Sequence, residues 1–166
     1  MGLFSFKSKK NLFEVIGLQL NSNLESKLEK TNETDSFIDY SVKIKDNFDV
    51  FNNATFRFFD KKKDLSGTSS FNIIFESKDM GLTINKIKNI VDTISKEYGK
   101  DRRGKGKWTN EDDNSITTYW EGREWIINSK GKTHTKIKKN CAQINLHFHL
   151  DEGIDFAIIG ASNLVK

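Results

Sequence analysis

Residues 83–99 constrain the fold more than any other part of the chain. Ile84, Ile87, Ile90, Val91, Ile94 and Tyr98 recur at helical spacing and form one apolar stripe. Thr83 stands where an N-cap hydroxyl is wanted, and Gly99 where a helix stops in the left-handed region. A helix with one apolar face needs one flat apolar partner. The flanking segments supply it, because they alternate with the period of two that makes strands.

Ahead of this helix, residues 37–44 put Ile38, Tyr40, Val42 and Ile44 on one face. Residues 48–59 contain a second strand, in which Ala54, Phe56 and Phe58 share a face. Residues 61–66 are polar and read as the loop to a third, where Phe71, Ile73 and Phe75 align. Further upstream, Leu12, Ile16, Leu20, Leu24 and Leu28 recur every four residues and predict a helix over 12–30. Ser22 and Glu25 have the spacing of a capping box that can restart it.

Beyond the helix, Glu111-Asp112-Asp113 lacks the spacing of a calcium loop and reads as a turn. A two-residue turn at Glu121-Gly122 would put Ile116, Thr118 and Trp120 on one face with Arg123, Trp125 and Ile127. Glu is a poor first residue for that turn, so a longer loop is the alternative. Asp151-Glu152-Gly153 predicts a three-residue hairpin loop. In that register Leu150 faces Ile154, Phe148 faces Phe156 and Leu146 faces Ile158.

Together these elements predict one α+β domain over residues 11–166, preceded by a basic tail at 1–10. The expected sheet is mostly antiparallel, of about six or seven strands, with two amphipathic helices packed on one face. The expected order is α-β-β-β-α-β-β-β-β. A chain of 166 residues can bury one substantial core, and thirteen Phe, three Trp and three Tyr supply it. The complete absence of proline, beside abundant Lys, Asn, Ile and Phe, points to an AT-rich coding bias and a bacterial-type source.

The lone Cys141 allows neither an internal disulfide nor a cysteine-based zinc site, which favours a reducing compartment. No stretch approaches the roughly 20 apolar residues of a membrane helix. Leu3, Phe4 and Phe6 precede Lys7, the reverse of a secretory leader, and Phe6 breaks the myristoylation pattern. A cytoplasmic location without a transmembrane segment is therefore expected.

Catalytic signatures are missing. Gly104-Lys105-Gly106-Lys107 has neither Walker spacing nor a dinucleotide fingerprint, and Cys141 has no flanking signature of a thiol nucleophile. The last hairpin is the one place with suggestive geometry. His147, His149 and Asp151 share the face opposite Leu146 and Phe148, and the predicted register sets His149 across from Asp155. His147, His149 and Asp155 are thus metal-ligand or acid–base candidates. The simpler reading is a solvated strand face, since one hairpin cannot supply convergent geometry. No catalytic residue and no cofactor is assigned.

Charge tells more. The net charge is only +4, yet residues 100–107 alone carry five cations and one acid, and residues 130–139 carry five lysines and no acid. With Met1–Lys10 adding three lysines, the rest of the chain is net acidic. Arg102, Arg103, Lys105 and Lys107 lie in a glycine-containing segment that ends at Trp108, and Lys136 and Lys138 lie in the second. Cations can neutralise phosphates, and an exposed Trp108 could stack on a base. No RNP pattern, zinc finger or helix-turn-helix accompanies them. The expectation is a small non-catalytic binding domain. A protein partner is favoured, with Tyr119 and Ile126 as candidate contacts. The alternative is nucleic-acid binding through loops 100–108 and 130–139.

Overall fold

The computed structural model describes Val15 and residues 24–59, 61, 63, 70–76, 83–115, 119–128, 132–136, 141–149 and 153–161. Eight strands form one sheet in the order β1-β2-β3-β4-β8-β7-β5-β6. They are β1 (Glu29–Glu33), β2 (Ile38–Lys43), β3 (Asn53–Phe58), β4 (Ser70–Glu76), β5 (Tyr119–Asn128), β6 (Thr133–His134), β7 (Cys141–His149) and β8 (Gly153–Ala161). Every pairing between neighbours is antiparallel. Among the described residues the helical segments with defined bounds are α1 (Leu24–Lys27), α2 (Ile84–Tyr98) and α3 (Asn110–Ser115).

α2 forms where its stripe requires. Thr83 accepts a hydrogen bond from the Lys86 N–H, Gly99 takes φ 82°, and the Gly99 N–H closes the last turn on the Ser95 carbonyl. Ile87, Ile90, Val91, Ile94 and Tyr98 are buried. They belong to one core with Ala54, Phe56 and Phe58 of β3, Trp120, Trp125 and Ile127 of β5, and Ile144 and Leu146 of β7. At one end of the helix the Lys86 ammonium donates to the Asp49 carbonyl in the β2–β3 loop, 2.8 Å away. At the other, the Trp125 indole N–H donates to the Gly99 carbonyl at 3.1 Å. The helix therefore crosses the sheet from the β2–β3 loop to β5.

Four features depart from the sequence expectations. The helix predicted over 12–30 gives way by Glu29 to β1, an edge strand exposed along its whole length. An edge strand with no buried face shows no alternation, so nothing in its sequence marks it. Ser22 of the predicted capping box and the tail at 1–10 lie outside the described residues. The acidic turn at 111–113 is instead the body of α3, where the Asp112 carboxylate accepts the Thr109 N–H at 2.9 Å in the manner of a capping box.

The third departure is at Gly122. Trp120 pairs with Phe148 and Arg123 with Leu146, so two residues of β5 oppose the single His147. This is a β-bulge within a continuous strand, not the turn of a hairpin. Trp120, Arg123, Trp125 and Ile127 still share the core-facing side. The fourth is the β7–β8 register: Phe148 pairs with Ile154, Leu146 with Phe156 and Ile144 with Ile158. That is a two-residue slip from the expected pairing, which keeps every residue on its predicted face.

The other face of the sheet is polar in much of its extent. Asp39 takes a bidentate pair from Arg57 directly opposite, at 2.8 and 2.9 Å. The Ser41 and Thr55 hydroxyls meet at 3.0 Å. Among the described residues, no helix is long and apolar enough to cross a membrane.

Candidate functional site

The first basic segment is a built turn rather than a loose connector. After Gly99 the chain folds around the carboxylate of Asp101, which is 5% exposed. One carboxylate oxygen accepts the Arg103 and Lys105 N–H groups at 2.9 and 2.8 Å. The other accepts the Glu124 N–H of β5 at 3.3 Å. The backbone closes on itself through Asp101 N–H to Lys105 carbonyl at 2.7 Å and Gly104 N–H to Asp101 carbonyl at 3.0 Å. Gly104 sits at φ 82°, where a side chain would be strained although the space around it is open. The Arg102 N–H then donates to the Glu124 carbonyl at 2.7 Å, pinning the turn to β5.

This architecture fixes where the cations go. Arg102, Arg103, Lys105 and Lys107 are all exposed, as is Lys100. The Arg102 guanidinium pairs with Glu124 at 3.0 Å, and Glu124 in turn accepts from Gln143 of β7. The acid in the segment, Asp101, is turned inward and spent on backbone N–H groups. Its neighbours therefore present positive charge to water on a rigid frame.

Trp108 departs from the sequence expectation. It is 8% exposed, with its indole N–H donating to Asp113 at 2.8 Å and its ring 5.1 Å from that of Trp120. Its own N–H donates to Asp92 of α2 at 2.8 Å. Such a side chain anchors the end of the turn to the core and is not presented for stacking on a base. Ile126, a candidate protein contact, is likewise fully buried. The side chain of Tyr119 lies outside what is described.

The second basic segment returns to the C-terminal end of α2. Asn128 and Lys132 close the β5–β6 turn, the Lys132 N–H donating to the Asn128 side-chain oxygen at 3.0 Å. The Thr133 hydroxyl then donates to the Tyr98 carbonyl at 2.6 Å, two residues before Lys100. Lys132 and Lys136 are exposed, while Lys138 lies outside the described residues. The C-terminal end of α2 is thus the meeting point of both segments. Cations are also the favoured charges beside the exposed carbonyls of a helix C-terminus.

The histidine candidates occupy a different region. β7 and β8 pair His147, not His149, with Asp155, and set His149 opposite Gly153. The correction follows from the two-residue slip in the hairpin. His147 is half-buried.

The signal for Asp101 was present in the sequence as Asp101-x-x-Gly104, an Asp-first, Gly-last turn pattern. Thr133 and Glu124 had no local signal, because each acts only through a long-range contact. Against protein-family models, curated proteins and solved structures, the chain finds no match.

Proposed function

We propose that this protein is a non-catalytic binding module that takes a polyanion, a nucleic-acid backbone first, on the basic rim of residues 100–107 and 132–136. The observation that supports this reading is the Thr133–Tyr98 hydrogen bond, which ties the second basic segment to the end of α2, where the first begins. Five exposed cations on a turn held by backbone hydrogen bonds need little reordering to meet a row of phosphates, so the entropy lost on binding is small. The reading calls for phosphate neutralisation without base readout, since Trp108 is occupied in the core and no base-reading motif is present.

The test is fluorescence anisotropy with labelled single- and double-stranded oligonucleotides over a salt series. Neutralising about four phosphates gives a slope of log affinity against log salt of roughly −3 to −4. Arg103→Glu combined with Lys105→Glu is expected to remove most of that slope while leaving thermal stability unchanged. Undiminished affinity in this variant would remove the rim as the binding surface. A flat salt profile would return the reading to a protein partner.

A further inference from the structure

The β5–β6 turn is closed by one side chain that works in two directions. The Asn128 amide oxygen accepts the Lys132 N–H at 3.0 Å, while the amide nitrogen lies 3.1 Å from His134 Nε2. A backbone N–H can only donate, so the oxygen of Asn128 belongs to Lys132 and its NH2 group to the imidazole. That NH2 group can only donate in its turn, so Nε2 accepts. The ring is therefore neutral, with its proton on Nδ1. The register sets His134 opposite Ile126 and Thr133 opposite Ile127. Thr133 accordingly turns to the core side and donates to the Tyr98 carbonyl, while the imidazole stands on the face away from α2. Asn128, Thr133 and His134 are all half-buried. Lys132, Thr133 and His134 thus fix the second basic segment in succession to Asn128, to the end of α2 and to Asn128 again.

We propose that the Asn128–His134 contact is a pH-sensitive latch, which fixes the second basic segment while the imidazole is neutral and loosens it when the imidazole is protonated. A proton on Nε2 would meet the Asn128 NH2 group donor to donor. Turning the amide over gives the imidazolium an acceptor but sets the NH2 group against the Lys132 N–H. Either way the turn loses one of these two side-chain hydrogen bonds, while the Asn128 N–H to Lys132 carbonyl bond at 3.1 Å keeps the strands joined. Imidazole is the side chain that ordinarily changes charge between about pH 5 and 8. Among the described residues, the ionisable groups on this face nearest His134 are Glu124 of β5 and Cys141 of β7, the latter opposite Asn128. The Glu124 carboxylate already pairs with Arg102 of the first basic turn and accepts from Gln143 of β7. Lys132 and Lys136 flank His134 two residues away on either side. Protonation therefore sets a further cation between two others. The consequence for polyanion binding rests on the proposed rim; the latch itself does not.

The experiment is nuclear magnetic resonance on the full, isotope-labelled chain between about pH 5 and 8. At the alkaline end the ring nitrogens of His134 are expected to show Nδ1 protonated and Nε2 bare. Exchange of the Lys132 N–H, relative to the unfolded chain at the same pH, is expected to be about fivefold faster at the acid end, the scale of one lost hydrogen bond. A proton on Nε2 of the neutral ring overturns the proposal, as does equal protection of Lys132 at both ends. Asn128→Asp keeps an acceptor for Lys132 and offers a second one to the imidazole, so its Lys132 protection should be greater at the acid end. A response like that of the unaltered chain in this variant overturns the latch. Should the variant fail to fold, the ring tautomer and the Lys132 exchange of the unaltered chain decide. Oligonucleotide anisotropy separates the latch from the rim. The slope of log affinity against log salt is expected to steepen by about 0.9 at the acid end, the share of one added cation, and His134→Ala should lose that increment. An increment that survives in His134→Ala overturns the latch's control of the rim. Absence of oligonucleotide binding at either pH removes the rim reading, and the latch is then judged on the resonance data alone.

Discussion

Asp112 and Arg123 form a buried, two-pronged ion pair, with Nη1 to Oδ1 at 2.8 Å and Nη2 to Oδ2 at 2.6 Å. Neither residue is more than 4% exposed. Arg123 also donates through Nε to the Gly106 carbonyl at 3.2 Å, and Asp112 accepts from Thr109 and from the Trp120 indole. The pair thereby ties β5, α3 and the last residues of the basic turn into one unit.

Removing one partner strands the other charge in the interior, which typically costs about 3–5 kcal/mol. Asp112→Ala and Arg123→Met are each expected to lose stability on that scale in urea unfolding. The double variant should lose clearly less than the two losses added, by about 1 kcal/mol or more, because neither charge is left alone. Strict additivity would mean that the two residues act independently.

The same carboxyl group sets an acid limit. Burial works to raise the Asp112 pKa, but hydrogen bonds from Arg123 and Thr109 outweigh it and hold the group at about 2, against an ordinary 3.8. A folded pKa below the unfolded one gives stability that is complete above about pH 4 and is lost as pH falls towards 2. The difference corresponds to about 2 kcal/mol. Between about pH 4 and 2 the unaltered protein should therefore lose about that much more stability than Asp112→Asn. Urea midpoints at several pH values measure the two curves, and parallel curves would assign the acid sensitivity to other groups.

Gly122 is required by both conformation and space. Its φ is 75°, and a Cβ built there would lie 1.8 Å from the Leu146 carbonyl oxygen of the paired strand. The obstacle is backbone, so no rotamer change relieves it. Gly122→Ala is expected to destabilise by about 3 kcal/mol or more, since the bulge must open or β5 must shift against β7. A loss under about 1 kcal/mol in chemical unfolding would show that the strand pair can absorb the methyl group.

These residues also show what could be read in the sequence. The faces of β2, β3 and α2 follow from period alone, because burial on one side imposes it. Gly122 was legible as a backbone irregularity but not as a bulge. A hairpin turn and a one-residue bulge both use a glycine in the left-handed region, and both return Arg123 to the face of Trp120. The β7–β8 register was ambiguous for a related reason: loops at 150–152 and 151–153 leave every residue on the same face. Only the partner opposite each residue, such as His147 opposite Asp155, depends on which loop forms. For the rim, the cations were visible as composition. Their convergence was not, because it rests on Thr133 reaching Tyr98. Arg123 stood out as a charge on an otherwise apolar face, yet its partner Asp112 lies in a segment that looked like a solvated turn.

Asp101 separates charge from architecture in the rim. Replacing it with Ala removes one negative charge beside Arg102 and Arg103, so electrostatics alone would strengthen polyanion binding. The same change deprives three backbone N–H groups, those of Arg103, Lys105 and Glu124, of their acceptor. Two of those groups sit at the surface and can turn to water, so the stability loss should be modest, about 1–2 kcal/mol. The turn itself should loosen, and its cations would then have to be ordered on binding. Asp101→Ala is therefore expected to weaken oligonucleotide binding about fivefold or more at fixed salt, despite the gain of one unit of positive charge. Asp101→Asn, which keeps an acceptor oxygen, should fall between the two. Anisotropy titrations of all three proteins at one salt concentration make the comparison. A higher affinity for Asp101→Ala would mean that the cations act as a diffuse charge and that the built turn contributes nothing to recognition.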